Sequence, residues 1–120
     1  YKKMNRKSRD SKKGREITGL DEGFDEMKFN KVLKYFQVSA DPLRFSIFQL
    51  LCKEELCVND IKNTLRWAQP SISYHLKELK DFGLISLRRI GKEHYYSVDK
   101  EFCRTIIDNI GQLFNLRSEE

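Results

Sequence analysis

From Val58 to Val98 the apolar residues run at helical spacing, break at Arg66-Trp67-Ala68, run helical again, and then turn to strand-like composition at Leu84. Few arrangements absorb that order. Val58, Ile61 and Leu65 mark a short helix. Ile72, Leu76 and Leu79 share one face of a second helix, with Pro70 in its first turn and Gly83 placed to end it. Two helices of about eight and thirteen residues across a three- or four-residue turn fit a helix-turn-helix. β-Branched and aromatic residues then fill 84–90 and 93–98 on either side of Ile90-Gly91-Lys92. That is a β-hairpin signal whose single Gly leaves the turn type open.

The flanks are helical as well. Phe29, Val32, Leu33 and Phe36 recur at i, i+3, i+4 and i+7, one apolar stripe. Ser39-Ala40-Asp41-Pro42 interrupts it, and Asp41 as N-cap with Pro42 behind it starts a new helix striped by Leu43, Ile47, Leu50 and Leu51. After Asp99, a further N-cap, Phe102, Ile106, Ile110 and Leu113 define a last helix, with Ile107 and Phe114 as a second stripe. The predicted architecture is mostly α, an α+β winged helix in the order helix, helix, helix-turn-helix, two-stranded wing, helix.

With 120 residues there is room for one such domain and little more. The net charge of +5 points to a polyanionic partner, but residues 1–16 hold eight basic against two acidic residues. The remaining stretch holds fifteen against sixteen, so the folded part is nearly neutral and position matters more than total charge. The stretch to about Asn30 has few apolar residues, and its charge turns acidic through Asp21, Glu22, Asp25 and Glu26. The expected division is a basic, largely disordered arm over 1–28 and a folded domain over 29–117. The arm is either a solvated tail or a grip on phosphates. No run of about 18 apolar residues exists for a transmembrane helix, and no secretory signal is recognisable. Three cysteines, Cys52, Cys57 and Cys103, make no disulfide framework and suit a reducing cytoplasm.

A recognition helix enters the major groove by its N-terminal half. With Ile72, Leu76 and Leu79 inward, Ser71, Ser73, Tyr74 and Lys77 turn outward, with Gln69 at the helix start. Gln69 suits bidentate bonding to adenine, Ser71 and Ser73 reach bases or phosphates, and Lys77 neutralises a phosphate. His75 falls on the flank of the inward face, where packing or hydrogen bonding outweighs base contact. Arg88, Arg89, Lys92 and His94 gather on the hairpin, and Arg89 and Lys92 are the stronger phosphate candidates among them. Each feature alone also describes a solvated polar face; turn, helix and wing together favour DNA.

These residues resemble the ArsR/SmtB family of metal-sensing repressors. Ser39-Ala40-Asp41-Pro42-Leu43-Arg44 is similar to the family's ADPTR-type segment, and Glu55-Leu56-Cys57-Val58-Asn59-Asp60-Ile61 to its ELCVCDL segment. Gln69-Pro70-Ser71-Ile72-Ser73-Tyr74-His75-Leu76 resembles its SQPTVSHHL helix. Asp81 to Ile85, Arg88-Arg89, Gly91-Lys92 and Tyr95-Tyr96 resemble its wing. The likeness runs from about residue 30 to the C-terminus. It implies homodimers paired through first and last helices, an inverted-repeat operator in double-stranded promoter DNA, and an effector that lowers DNA affinity.

The departures concern that effector. The family's thiolate site needs a second cysteine where Asn59 stands, and its zinc pattern falls here on Lys100, Phe102, Leu113 and Leu116. Neither set suits its metal, so the usual metal sites read as lost and no metal or cofactor is assigned. The cysteines are then small core thiols, or a pair such as Cys57 with Cys103, within or across a dimer, that senses oxidant or a soft metal. Phe24, Met27, Phe29, Ile107, Phe114 and Leu116 are candidates to bury against a second copy. The leading expectation is a cytoplasmic, dimeric DNA-binding regulator, repressor more than activator, with no membrane partner and an effector the sequence does not name. The alternative is a winged-helix module that binds protein without reading DNA. An enzyme is disfavoured, because no phosphate loop, paired carboxylates or nucleophile constellation is present.

Overall fold

A computed structural model describes residues 24–116. Five helices and a small sheet follow in the order α1 (Glu26–Ser39), α2 (Pro42–Lys53), β1 (Leu56–Cys57), α3 (Val58–Leu65), α4 (Gln69–Phe82), β2 (Ile85–Ile90), β3 (Glu93–Val98) and α5 (Lys100–Leu113). This is a winged helix.

The caps read from the sequence set the boundaries. Asp41 accepts the Arg44 N–H at 3.0 Å to start α2, and Asp99 accepts the Phe102 N–H at 3.0 Å to start α5. Gly83 ends α4 with φ +112°, and a Cβ there would meet the Phe102 ring at 3.4 Å. Glycine is required at that position by conformation, while the Phe102 ring would meet a Cβ at ordinary contact distance. At the wing tip Gly91 has φ +63° while Lys92 does not turn positive, the pattern of a two-residue type II′ hairpin.

The arm expected over 1–28 needs correcting at its end. Asp25 accepts the Met27 and Lys28 N–H groups, so α1 begins at Glu26 and takes in three residues assigned to the arm. Residues 1–23, with the basic run, lie outside the described residues. The sheet also has a third strand that the hairpin pattern did not show. Leu56 and Cys57 pair with Tyr96 and Tyr95, giving the order β1-β3-β2 and tying the start of α3 to the wing.

Ile47 and Leu51 of α2, Ile61 of α3, and Ile72, Leu76 and Leu79 of α4 meet Val38, Leu84 and Ile85 in one buried core. Burial of each such side chain contributes on the order of 1.5–3 kcal/mol. The first stripe divides: Val32 is buried, while Leu33 and Phe36 face outward. With Met27, Ile107, Leu113, Phe114 and Leu116 they are the large exposed apolar residues of α1 and the α5 end. No helix among the described residues is long and apolar enough to cross a membrane.

Candidate nucleic-acid interface

Helix α4 has two chemically distinct sides. Ile72, Leu76 and Leu79 are wholly buried, so the helix cannot roll, and its other side is fixed toward solvent. Gln69, Ser73, Tyr74 and Lys77 are exposed on that side, and Ser71 is half-buried beside them. Lys77 donates to Asp81 at 2.7 Å, one turn on, and the carboxylate raises its pKa. Both partners are solvated, so this pair is easily exchanged for a phosphate.

A polar brace holds the exposed face in place. The Arg44 guanidinium donates from Nη1 to the Val38 carbonyl at 3.0 Å and from Nε to His75 Nδ1 at 3.1 Å. The His75 ring proton therefore sits on Nε2, which faces Asp41 Oδ1 at 3.7 Å. Asp41 is also the α2 cap; the Arg44 N–H it accepts is the main cause holding its carboxyl below the usual range. The same Arg44 lies 5.7 Å from the Tyr74 ring centroid, and Tyr74 packs edge-on against His75 at 5.1 Å. One arginine thus joins the N-terminus of α2 to the outward face of α4. His75 is buried and hydrogen-bonded, as the flank position suggests. The role of Arg44 is not legible from spacing, because its partners lie on another helix.

The connection before α4 adds Trp67, 53% exposed although it is the chain's one tryptophan. Arg66 holds the left-handed conformation there at φ +62°, with its N–H on the Lys62 carbonyl at 2.7 Å. A large aromatic left in solvent beside Gln69 was the available signal.

The wing separates its two arginines. Neighbouring strand residues point to opposite faces, so Arg88 and Arg89 do not address one surface. Arg88 grips Glu55 with Nε to Oε2 at 2.6 Å and Nη2 to Oε1 at 2.7 Å. That fork holds the Glu55 carboxyl below its ordinary value and raises the guanidinium. Arg88, expected on phosphate, is here paired with Glu55 across the gap from the wing to the segment before α3. Arg89, across from His94, and Lys92 at the tip are exposed.

Within one chain the two thiols of the expected pair have different surroundings. Cys57 is buried at the start of α3, with its N–H and S–H both directed at Asp60 Oδ2, at 3.3 and 3.2 Å. Cys103 lies elsewhere, lining a cavity together with Cys52 of α2. Among the described residues no three His, Cys, Asp or Glu side chains come together as metal ligands. Around Cys57 the donor set is one thiol tied to a carboxylate, with the amide of Asn59 exposed, which does not fit a thiophilic ion.

Comparison with known proteins follows this geometry. The model for bacterial regulatory proteins of the arsR family matches residues 41–86, from the α2 cap through α4 into β2. An arsenical resistance operon repressor of Staphylococcus xylosus is 33% identical over 84 residues, 70% of this chain and 81% of that protein. The chain belongs to the arsR family. An uncharacterized HTH-type transcriptional regulator of Methanocaldococcus jannaschii is 32% identical over 72% of this arsR-family chain and 98% of its own. In fold the chain is similar to HlyU of Vibrio cholerae, with TM-score 0.63 at 23% identity over 75% of this chain and 98% of that one. Family and relatives are transcriptional regulators and not enzymes.

Proposed function

We propose that this arsR-family chain is a cytoplasmic repressor that binds an inverted-repeat operator in double-stranded DNA as a homodimer. The observation that carries the reading is α4. Three wholly buried residues fix a helix whose other side offers an amide, two hydroxyls, a phenol and a lysine to solvent. Gln69, Ser71, Ser73 and Tyr74 take the base edges, with Trp67 at the mouth of the groove. Lys77, Arg89 and Lys92 take phosphates. Arg88 acts through Glu55 to set the wing's angle.

Dimerisation is supported by α1 and α5, which leave Leu33, Phe36, Ile107, Phe114 and Leu116 in water. Large apolar side chains left in water on two helices that pack together favour an interface. The family relationship supports DNA as partner, since the S. xylosus relative is an operon repressor. The domain is 26–117, with the basic arm of 1–16 as an added phosphate grip. Asn59, with Lys100, Phe102, Leu113 and Leu116, supports loss of the usual metal sites.

Selection from a random duplex library at about 0.15 M salt tests the reading, because non-specific binding is weak there. Enrichment of two half-sites about one helical turn apart is expected. Failure of folded, reduced protein to enrich any sequence would overturn it and favour a protein partner.

A further inference from the structure

A cavity of about 330 Å³ opens between α1, α2, the end of β3 and α5. It falls in the range of small-molecule sites, and at ~30 Å³ per water-sized group it holds about ten non-hydrogen atoms. Tyr35, Phe48, Leu84, Val98 and the isoleucines of α5 make its wall almost entirely carbon. Cys52 and Cys103 complete the wall, and burial pushes both thiols up, so they stay protonated and behave as small apolar groups.

The lining has one charged element. Lys100 and Arg104 stand one turn apart on α5 and are both exposed. Lys100 is near enough to Cys52 to oppose the upward shift of that thiol. Among the described residues neither cation has an ion-pair partner, whereas Lys77 and Arg88 both do. An apolar chamber rimmed by two cations matches a molecule with a hydrocarbon body and one anionic end.

We propose that this cavity binds a small monocarboxylate of about eight carbons, with its chain against Phe48 and Ile106 and its carboxylate between Lys100 and Arg104. Ile107 lines the cavity and is also 66% exposed on the face assigned to the second copy. Occupancy therefore reaches the dimer face. As an effector site the cavity rests on the repressor reading; as a binding site it does not.

Titration calorimetry of the full chain with sodium octanoate, without DNA, reads binding directly. Octanoate should bind, and octylamine and 1-octanol should bind at least about tenfold more weakly, since each lacks a charge-assisted contact. The double variant K100Q/R104Q, altered only at exposed positions, should lose about tenfold or more. Octanoate should also slow iodoacetamide alkylation of Cys103 while leaving the Cys57 rate unchanged. No heat at millimolar octanoate, equal affinity for octylamine, or unchanged Cys103 alkylation would each overturn the site. Release of a selected duplex by octanoate supports the effector role. Binding without release overturns that role and leaves the repressor reading intact. Failure of the unliganded protein to bind any duplex sinks the repressor reading, while calorimetry still decides the cavity.

Discussion

The helix-turn-helix half and the α1/α5 half of this molecule treat their apolar residues in opposite ways. In α3 and α4, Ile61, Ile72, Leu76 and Leu79 are all but inaccessible, and Tyr74 is the one large apolar-bodied side chain of the two helices left exposed. In α1 and α5, Val32 and Ile106 are buried, yet Leu33, Phe36, Ile107, Phe114 and Leu116 remain in water. The first half completes its core within one chain. The second does not, although both are amphipathic helices cut from the same sequence. Exposure on that scale suits a surface that a second copy covers, and under the proposed function it divides the labour: one half would read DNA and the other would join two readers.

The contrast breaks most strongly at Leu76. Leu76→Ala empties space at the centre of the closed half and should cost about 2–5 kcal/mol. In denaturant titration that loss should not depend on protein concentration. Gly83→Ala comes next, at about 1–3 kcal/mol, because φ +112° opposes a side chain. A substitution there that left stability unchanged would mean that the α4 terminus is relaxed.

On the open half, Ile107→Glu should leave secondary structure and monomer folding intact. It should weaken binding to an inverted repeat by about tenfold or more, roughly 1.4 kcal/mol, with sedimentation shifting to monomer. Unchanged sedimentation would show that α5 is not the joint. Smaller effects sharpen the electrostatics. Arg89→Ala, or deletion of residues 1–16, should each flatten the slope of log affinity against log salt, by about 0.9 for each phosphate contact removed. An unchanged slope for the deletion makes the arm a spectator.

The smallest effect is acid sensitivity. Asp41, Glu55 and Asp81 are all held below their ordinary values, by the Arg44 N–H, the Arg88 fork and Lys77 respectively. Their contribution is present above the usual carboxylate range and is lost as pH falls through it. The melting temperature should hold from pH 7 to 5 and decline below about pH 4. Replacing Glu55 by Gln should reduce that decline slightly, since the pair is largely solvated.

Much of the fold was legible because its boundaries are chemical. Asp41-Pro42, Pro70, Gly83, Gly91 and Asp99 announce their caps and turns by residue type, and the buried face of α4 follows from spacing alone. What escaped the sequence is non-local. Strand β1 is two residues long, below the length at which alternation registers. The stripe of α1 is continuous in sequence but split in space, because only packing decides whether Leu33 faces a core or a partner. At the site, the outward set of α4 was readable from the inward one. Arg88 was not, since Glu55 lies 33 residues away, and neither was the approach of Cys103 to Cys52 in place of Cys57. The start of α1 did carry a signal in Asp25, hidden in an acidic stretch.

The most direct test of the two-half account is sedimentation of the full chain with the enriched duplex, beside a duplex in which one half-site is scrambled. Two chains on the intact repeat are predicted, with affinity for the scrambled duplex lower by at least about tenfold. One chain per intact repeat, bound as tightly as to a single half-site, would contradict the account.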